Sequence, residues 1–310
     1  MKNIKNVVVA GATGYFGPAI VKGLQDTGNF NVTIFVRASS NTAQFENVNI
    51  VTVDYENLNS LVEALRGQDA VVSTLNHLHF DQQKALIDAS VIAGVKRFMP
   101  SEYGVDTRVP GAEAIPYVAP KAAIQDILNK SSLTYSYLYT GPFLEWGIEY
   151  FYLDWKESTA EIWGGGDIPI GVTTIDDVGL AVANTLLHPE ETENQHLWVA
   201  SIVLSQNEAL SLIKKYSPEL ELTLHNRDIK TSIAALQEAW KAGRGLEYGI
   251  IRDSVATCLY GMHVENGVQF DKDNELLGIK KLTQVQLEDI IAKVVKTGGP
   301  STRWKAGEAL

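Results

Sequence analysis

Along the first 140 residues the apolar positions switch back and forth between two rhythms. Short β-branched runs are NVVVA (6–10), VTIFVR (32–37), VNIVTVD (48–54), AVVSTL (70–75), KRFMP (96–100) and TYSYLY (134–139). Between several of them lie stretches with apolar residues at helical spacing: AIVKGLQDTG (19–28), LNSLVEALRG (58–67) and QQKALIDASVIAGV (82–95). Strands that are apolar nearly throughout, separated by amphipathic helices, predict a parallel sheet covered on both faces. Right-handed crossovers then wind it into an α/β, Rossmann-type sheet. The polar segment ASSNTAQFEN (38–47) carries the weakest helical signal of the set.

After residue 141 that rhythm breaks. Aromatic residues crowd GPFLEWGIEYFYLDW (141–155), and GGGDIPI (164–170) follows. The stretch TTIDDVGLAVANTLLH (173–188) predicts a helix in which Thr174 and Asp177 resemble a capping box. A strand, HLWVAS (196–201), and further helices come next. The predicted organisation is a dinucleotide-binding domain over 1–145 and a smaller α/β substrate lobe over 146–310, with strands interleaved between them. The Gly- and Pro-containing tail from residue 297 is expected to be flexible.

Composition narrows the function classes. The 310 residues are 45% hydrophobic and 20% charged, with a formal net charge of -11. That charge argues against a nucleic-acid partner, whose phosphates need clustered Lys and Arg, and against an anionic membrane surface. A lone cysteine, Cys258 in an apolar stretch, cannot form an intramolecular disulfide. No run approaches the ~20 apolar residues that span a bilayer. The first strand starts almost at once, which leaves no room for a signal peptide. A cytoplasmic monomer or homodimer acting on a small molecule is the expectation.

The chemistry begins at VVVAGATGYFGPAI (7–20), where Gly11, Gly14 and Gly17 follow the first strand and open a helix. Such a turn needs residues without Cβ for the tight bend and for close approach of backbone to a pyrophosphate. The helix N-terminus adds unpaired N–H groups and a positive dipole end. Thr13, Tyr15 and Phe16 complete this expected cofactor contact, and Pro18 is tolerated in a first helical turn. At the second strand's end Arg37 stands with Ser39 and Ser40 and no nearby acid, which favours the 2′-phosphate of NADP(H) over NAD. An arginine at a strand end is also a common solvated residue.

With GATGYFG, FVR, RFMPSEYG and a downstream lysine in view, the chain resembles the isoflavone reductase-like, NmrA-like group of atypical short-chain dehydrogenases/reductases. That group includes pinoresinol–lariciresinol, phenylcoumaran benzylic ether and isoflavone reductases. LIDASVIAGVKRFMPSEYGVD (86–106) matches its helix–strand–PSEFG segment, and the resemblance fades after about residue 145. It implies an NADPH-dependent oxidoreductase with Lys121, seventeen residues beyond Gly104, at the position of the family's lysine. It also implies Ser73, Thr74, Ser101 and Glu102 as neighbours of cofactor or substrate. The sequence departs from the group at Tyr103, which replaces Phe in PSEFG, and at YVAPK (117–121), which leaves the substrate class open.

Three readings of Lys121 stand side by side. An ammonium beside a nicotinamide can give a proton to the alkoxide or enolate left by hydride transfer, and a neutral amine can remove a phenolic proton. Alternatively Tyr117, Lys121 and Ser101 form the Tyr–Lys–Ser set of standard short-chain dehydrogenases. Pro120 opposes that set, because it restricts Ala119 to extended backbone and suits N1, placing Tyr117 ahead of the helix. The third reading is a solvated first-turn lysine. His77 and His79 follow the fourth strand, where substrate contact is expected in open α/β sheets. Tyr103, Phe143, Trp146, Tyr150 and Phe151 are candidate walls for a planar substrate, though core packing explains such rings equally well. No metal site is evident. The expected function is reduction of a small aromatic or polyketide-like metabolite. A non-enzymatic NADP sensor of the NmrA type is the alternative, and an epimerase or dehydratase holding NADP tightly is a third reading.

Overall fold

Residues alternate between two cores along each central strand, and that alternation sets the architecture. A computed structural model describes residues 3–76, 79–115, 118–145, 153–154, 157–245 and 247–297. In β1 (Asn6–Ala10), Val8 and Ala10 enter one core while Val7 and Val9 enter the other. β2 (Asn31–Val36) divides in the same way, Phe35 to one side and Ile34 and Val36 to the other. So does β4 (Ala70–Ser73), with Val71 opposed to Val72. A strand buried on both faces needs helices on both faces, and parallel pairing supplies them through its crossovers.

The main sheet has seven strands in the order β10-β6-β5-β4-β1-β2-β3, every neighbouring pair parallel. Its other members are β3 (Asn49–Thr52), β5 (Arg97–Met99), β6 (Thr134–Tyr139) and β10 (Gln195–Trp198). Helices α2 (Leu58–Leu65), α3 (Phe80–Ala93) and α4 (Ala119–Asn129) cover one face, with α3 packed against both of the others. The other face carries α1 (Gly17–Asp26) and α5 (Ile175–Leu187). These two helices cross with backbones almost touching: a Cβ on Gly23 would lie 2.3 Å from the Gly179 carbonyl oxygen.

The polar segment 38–47 forms turns rather than a helix, so β2 and β3 are joined without a covering helix. That stretch has almost no apolar residues with which to pack on the sheet. The capping box at α5 is half formed. The Thr174 hydroxyl accepts from the Asp177 N–H at 3.1 Å, but Asp177 Oδ2 accepts from the Ser201 hydroxyl instead of reaching back to the Thr174 N–H. Asp is shorter than the Glu or Gln that closes such a box, so its carboxylate binds a different partner.

The 196–201 strand expectation lands at β10, which extends the main sheet beside β6. The remaining elements form two small sheets. β7 (Leu153–Asp154), β8 (Thr159–Trp163) and β12 (Thr223–Arg227) make one, and β9 (Ile170–Val172) and β11 (Ile202–Leu204) the other. Helices α6 (Gln206–Tyr216), α7 (Ile229–Lys241), α8 (Tyr248–Ala256) and α9 (Gln284–Thr297) complete the chain. α8 runs into a π-helix over Thr257–His263 whose seven residues are all buried. Cys258 lies there with no exposure, its thiol pushed up to about 12 by burial. Among the described residues no helix is long and apolar enough to cross a membrane, and no group of three or more His, Cys, Asp or Glu could hold a metal. The aromatic positions Trp146, Tyr150 and Phe151 and the tail from 298 lie outside the described residues.

Candidate functional site

In a doubly wound sheet the ligand crevice opens where strand order reverses, at the carboxyl ends of the two strands that part there. Here those strands are β1 and β4. Gly11 follows the first and Thr74 the second, and they touch: a Cβ on Gly11 would lie 2.7 Å from the Thr74 hydroxyl oxygen and 2.9 Å from its carbonyl carbon. Gly11 holds φ +87°, a conformation that glycine alone adopts cheaply. Gly14 N–H donates back to the Gly11 carbonyl at 2.9 Å, closing the turn. Gly17 is equally confined, since a Cβ there would meet the Ala12 carbonyl oxygen at 2.4 Å.

α1 opens from this turn with Phe16 at its N-cap, no side-chain capping bond, proline in its first turn and no acidic residue there. Its first N–H groups are thus free of a side-chain acceptor, which fits an anionic ligand. A cavity of about 1030 Å³ runs across the switch point. Gly11, Thr13, Gly14, Tyr15 and Phe16 line it, as do Arg37 and Ser40 at the end of β2 and Asp54 and Tyr55 at the end of β3. Thr74, Asn76 and His79 line it from the β4 side. The donor set, a glycine turn with an arginine and a serine beyond it, fits a phosphorylated dinucleotide. Burial pushes the Tyr55 hydroxyl up to about 12, against the opposing pull of the Arg37 guanidinium.

The same cavity is lined by Ser101, Glu102, Tyr103, Gly104 and Lys121, and by the apolar side chains of Val105, Phe143, Ile251 and Val255. α4 has Val118 as its N-cap and proline in its first turn, so Lys121 sits in that first turn. Its ammonium donates a hydrogen bond to the Glu102 carbonyl and makes no other hydrogen bond among the described residues. Gly104 lies beside it, and a Cβ there would stand in ordinary contact with Nζ at 4.0 Å. Burial holds the lysine below its ordinary pKa and the Glu102 carboxylate opposes that shift. Desolvation raises the Glu102 carboxyl, opposed by Lys121 and by the Gln125 hydrogen bond.

Tyr103 carries unusual backbone for a non-glycine residue, φ +36°. Its ring meets Phe16 at 5.0 Å between centroids, and Phe16 in turn meets Phe143 at 5.3 Å. These three rings tie the glycine turn to the PSEYG segment. The Tyr103 hydroxyl is buried without a hydrogen-bond partner among the described residues.

The structure therefore gathers most of the expected residues around one cavity and leaves some apart. Ser101 lines it, its N–H donating to Gln83 Oε1 at 2.9 Å. Ser73 is fully buried and does not line it; its hydroxyl accepts from the Leu75 N–H at 3.5 Å. Ser39 is exposed and away from the cavity, where Ser40 stands instead. Gly17 serves turn and helix packing. α4 begins at Ala119, after Tyr117 in the chain; Tyr117, His77 and Trp146 lie outside the described residues. Sequence reasoning missed Asp54 and Tyr55, although their place at the end of β3 is a signal of the same kind that found Arg37. It also missed Ile251 and Val255, one turn apart on α8, and nothing local points them at the cavity.

A doubly wound sheet with a glycine turn at its switch point and an arginine at the second strand's end defines a dinucleotide-binding protein of the Rossmann class. Residues 3–235 match the model of the NmrA-like family, and the chain belongs to that family. Oxidoreductase aprR of Aspergillus flavus is 34% identical over 298 residues, which cover 94% of this chain and 98% of that protein. The bifunctional pinoresinol-lariciresinol reductase of Forsythia intermedia is 24% identical over 267 residues, 76% of this chain and 84% of that one. Among solved structures, the binary complex of leucoanthocyanidin reductase with NADPH from Vitis vinifera has a TM-score of 0.76 at 19% identity, covering 94% of this chain and 99% of that chain. At that identity the likeness concerns the fold.

Proposed function

We propose that this NADP(H)-dependent oxidoreductase of the NmrA-like family reduces a small aromatic or polyketide-like metabolite, with Lys121 as general acid/base. The bond reduced is a carbonyl, an enone C=C or a benzylic ether. The observation that carries the reading is the placement of Lys121: a partly buried ammonium, tethered through one proton and lining the same cavity as the glycine turn. The relatives named oxidoreductase and pinoresinol-lariciresinol reductase support the reaction class.

NADPH, when bound, supplies a hydride to an electrophilic carbon of the substrate. The chain does the rest. The turn 11–17 and the first N–H groups of α1 hold the pyrophosphate, and Arg37 with Ser40 holds the 2′-phosphate by charge-assisted hydrogen bonds. Phe143, Val105, Ile251 and Val255 give the cavity apolar walls and favour a flat, apolar substrate. As negative charge develops on the substrate oxygen, Lys121 Nζ gives it a proton and is left as a neutral amine. Burial lowers the cost of that neutral state, which brings the acid towards the working pH.

The test is NADPH oxidation against phenolic enones, quinones, aryl ketones and benzylic ethers, wild type beside Lys121→Ala, with NADPH affinity titrated for both. Turnover lost while affinity is kept supports the reading. Turnover that survives the substitution overturns it. Tight NADPH binding with no turnover on any compound would favour a sensor.

A further inference from the structure

α8 lies outside the residues that match the NmrA-like family, yet two of its side chains line the cavity. Ile251 and Val255 are four positions apart and so share a helix face. Ile251 is buried, and Val255 is partly exposed although Ser254 and Ala256 on either side of it are buried. The polar groups of neighbouring positions are already engaged. The Ser254 hydroxyl donates to the Ile250 carbonyl at 2.7 Å, and the Thr257 hydroxyl donates to the Asp253 carbonyl at 2.8 Å. Asp253 pairs with Arg252 at 3.3 Å. Among the described residues, what α8 gives the cavity is hydrocarbon.

This wall is also stiff. One turn further on, Cys258 and Leu259 enter the core with no exposure, within the buried stretch Thr257–His263. At the end of that stretch His263 Nε2 accepts from the Asp106 N–H at 3.1 Å. The His263 ring packs on Trp198 and Phe270, at 5.2 and 6.0 Å between centroids. Asp106 closes the same segment, 101–106, whose Glu102 carbonyl takes the Lys121 ammonium. α8 and Lys121 are thus fixed to one piece of backbone. A close-packed interior of this kind passes a change of side-chain volume on to whatever it touches.

We propose that Ile251 and Val255 are the specificity-determining residues for the ring system of the substrate: they set how large a fused aromatic hydrocarbon the cavity takes beside the cofactor. This rests on the reading of the cavity as the substrate site. Apolar walls discriminate by size, and one methylene too many or too few in such a pocket is worth about ten- to two-hundredfold. A charged or heavily hydroxylated ring is refused, because its polar groups would leave water without gaining a partner on α8. The substrate class is therefore a planar, mostly unsubstituted ring system with its reacting oxygen directed to Lys121.

The experiment titrates 2-naphthol and 9-phenanthrol, a smaller and a larger fused ring system, by calorimetry into the full chain saturated with NADP⁺. Wild type, Val255→Phe and Ile251→Ala are compared, and circular dichroism checks that each variant folds. In Val255→Phe the larger probe is expected to weaken at least about tenfold more than the smaller one. In Ile251→Ala, which opens the wall, the ratio of the two dissociation constants moves in the opposite direction. NADP⁺ affinity is unchanged in both. A ratio that stays constant in both variants overturns the proposal. So does a loss of NADP⁺ affinity that matches the loss of probe affinity, which would make α8 a wall of the cofactor site. Failure of the wild type to bind either probe overturns it as well. Should Ile251→Ala fail to fold, Val255→Ala takes its place with the same expectation, since the partly exposed Val255 tolerates truncation better. The readout is binding, so turnover that survives Lys121→Ala would remove the acid role and leave the probe ratios standing; the two failures are distinguishable.

Discussion

Gly11→Ala puts the switch-point geometry to a quantitative test. At φ +87° an L-residue costs about 1–2 kcal/mol. The new Cβ would also meet three atoms of Thr74 closer than 3.0 Å, two of them backbone. Thr74 cannot retreat cheaply, because its N–H and its hydroxyl both hold the Ala10 carbonyl, at 2.8 and 3.0 Å. Overpacking of this kind adds roughly 1–3 kcal/mol. The expected loss is therefore about 2–5 kcal/mol, or roughly 3–8 °C in Tm for a chain of this size. The strain is relieved by moving the glycine turn, so NADPH affinity falls by at least about tenfold, some 1.4 kcal/mol. Gly28→Ala separates the two costs: Gly28 has φ +65° with nothing within 4 Å of an added Cβ, so it carries the backbone strain alone. Thermal unfolding and NADPH fluorescence titration read both variants. A Gly11→Ala protein matching Gly28→Ala in both assays would refute the close approach of β1 and β4.

Other consequences are equally open to measurement. Gly23→Ala drives a methyl into the Gly179 backbone at 2.3 Å and should cost at least about 2 kcal/mol in urea unfolding with little change in NADPH affinity; wild-type stability would contradict the helix crossing. Arg37→Ala should weaken NADPH by about ten- to a hundredfold, the worth of charge-assisted hydrogen bonds, and leave NADH nearly unchanged; equal losses for both cofactors would exclude a 2′-phosphate role. Burial holds the His263 imidazole down to about 4 from its ordinary 6.5. The unfolded chain therefore takes up a proton that the folded chain refuses, and stability is lost as pH falls from about 6.5 towards 4. Full burial makes this worth about 3 kcal/mol, so the urea midpoint should drop between pH 7.5 and 4.5, and His263→Asn should flatten that slope. An unaltered slope in the variant would assign the loss to other groups.

What was legible in the sequence was what local spacing encodes. Strands 6–10, 32–37 and 70–75 announced themselves as apolar runs because a doubly covered strand has no polar face. The glycine triplet and Arg37 were visible because strand-end chemistry follows directly on a strand. Pro120 marked the start of α4 to within one residue: Ala119, expected to be extended, instead opens the helix, and Lys121 still lies in its first turn. The absent helix in 38–47 followed from too little apolar surface, and the half-formed box at Thr174 from the reach of Asp177. Contacts between residues far apart in the chain were not legible. Arg97, fully buried, is held by Thr134, Ser136, Thr192 and the Pro189 carbonyl, none of them near it in sequence. The convergence of Gln125, Tyr139 and His196 behind Glu102 is hidden for the same reason, since only the folded sheet brings β6 and β10 beneath α4.

Chemical rescue tests the role of Lys121 most directly. Single-turnover oxidation of bound NADPH would be followed in Lys121→Ala, with and without small primary amines such as methylamine. The expected result is a rate well below wild type that recovers in proportion to the added alkylammonium, at unchanged NADPH affinity. A rate equal to wild type without added amine would contradict proton transfer from Lys121.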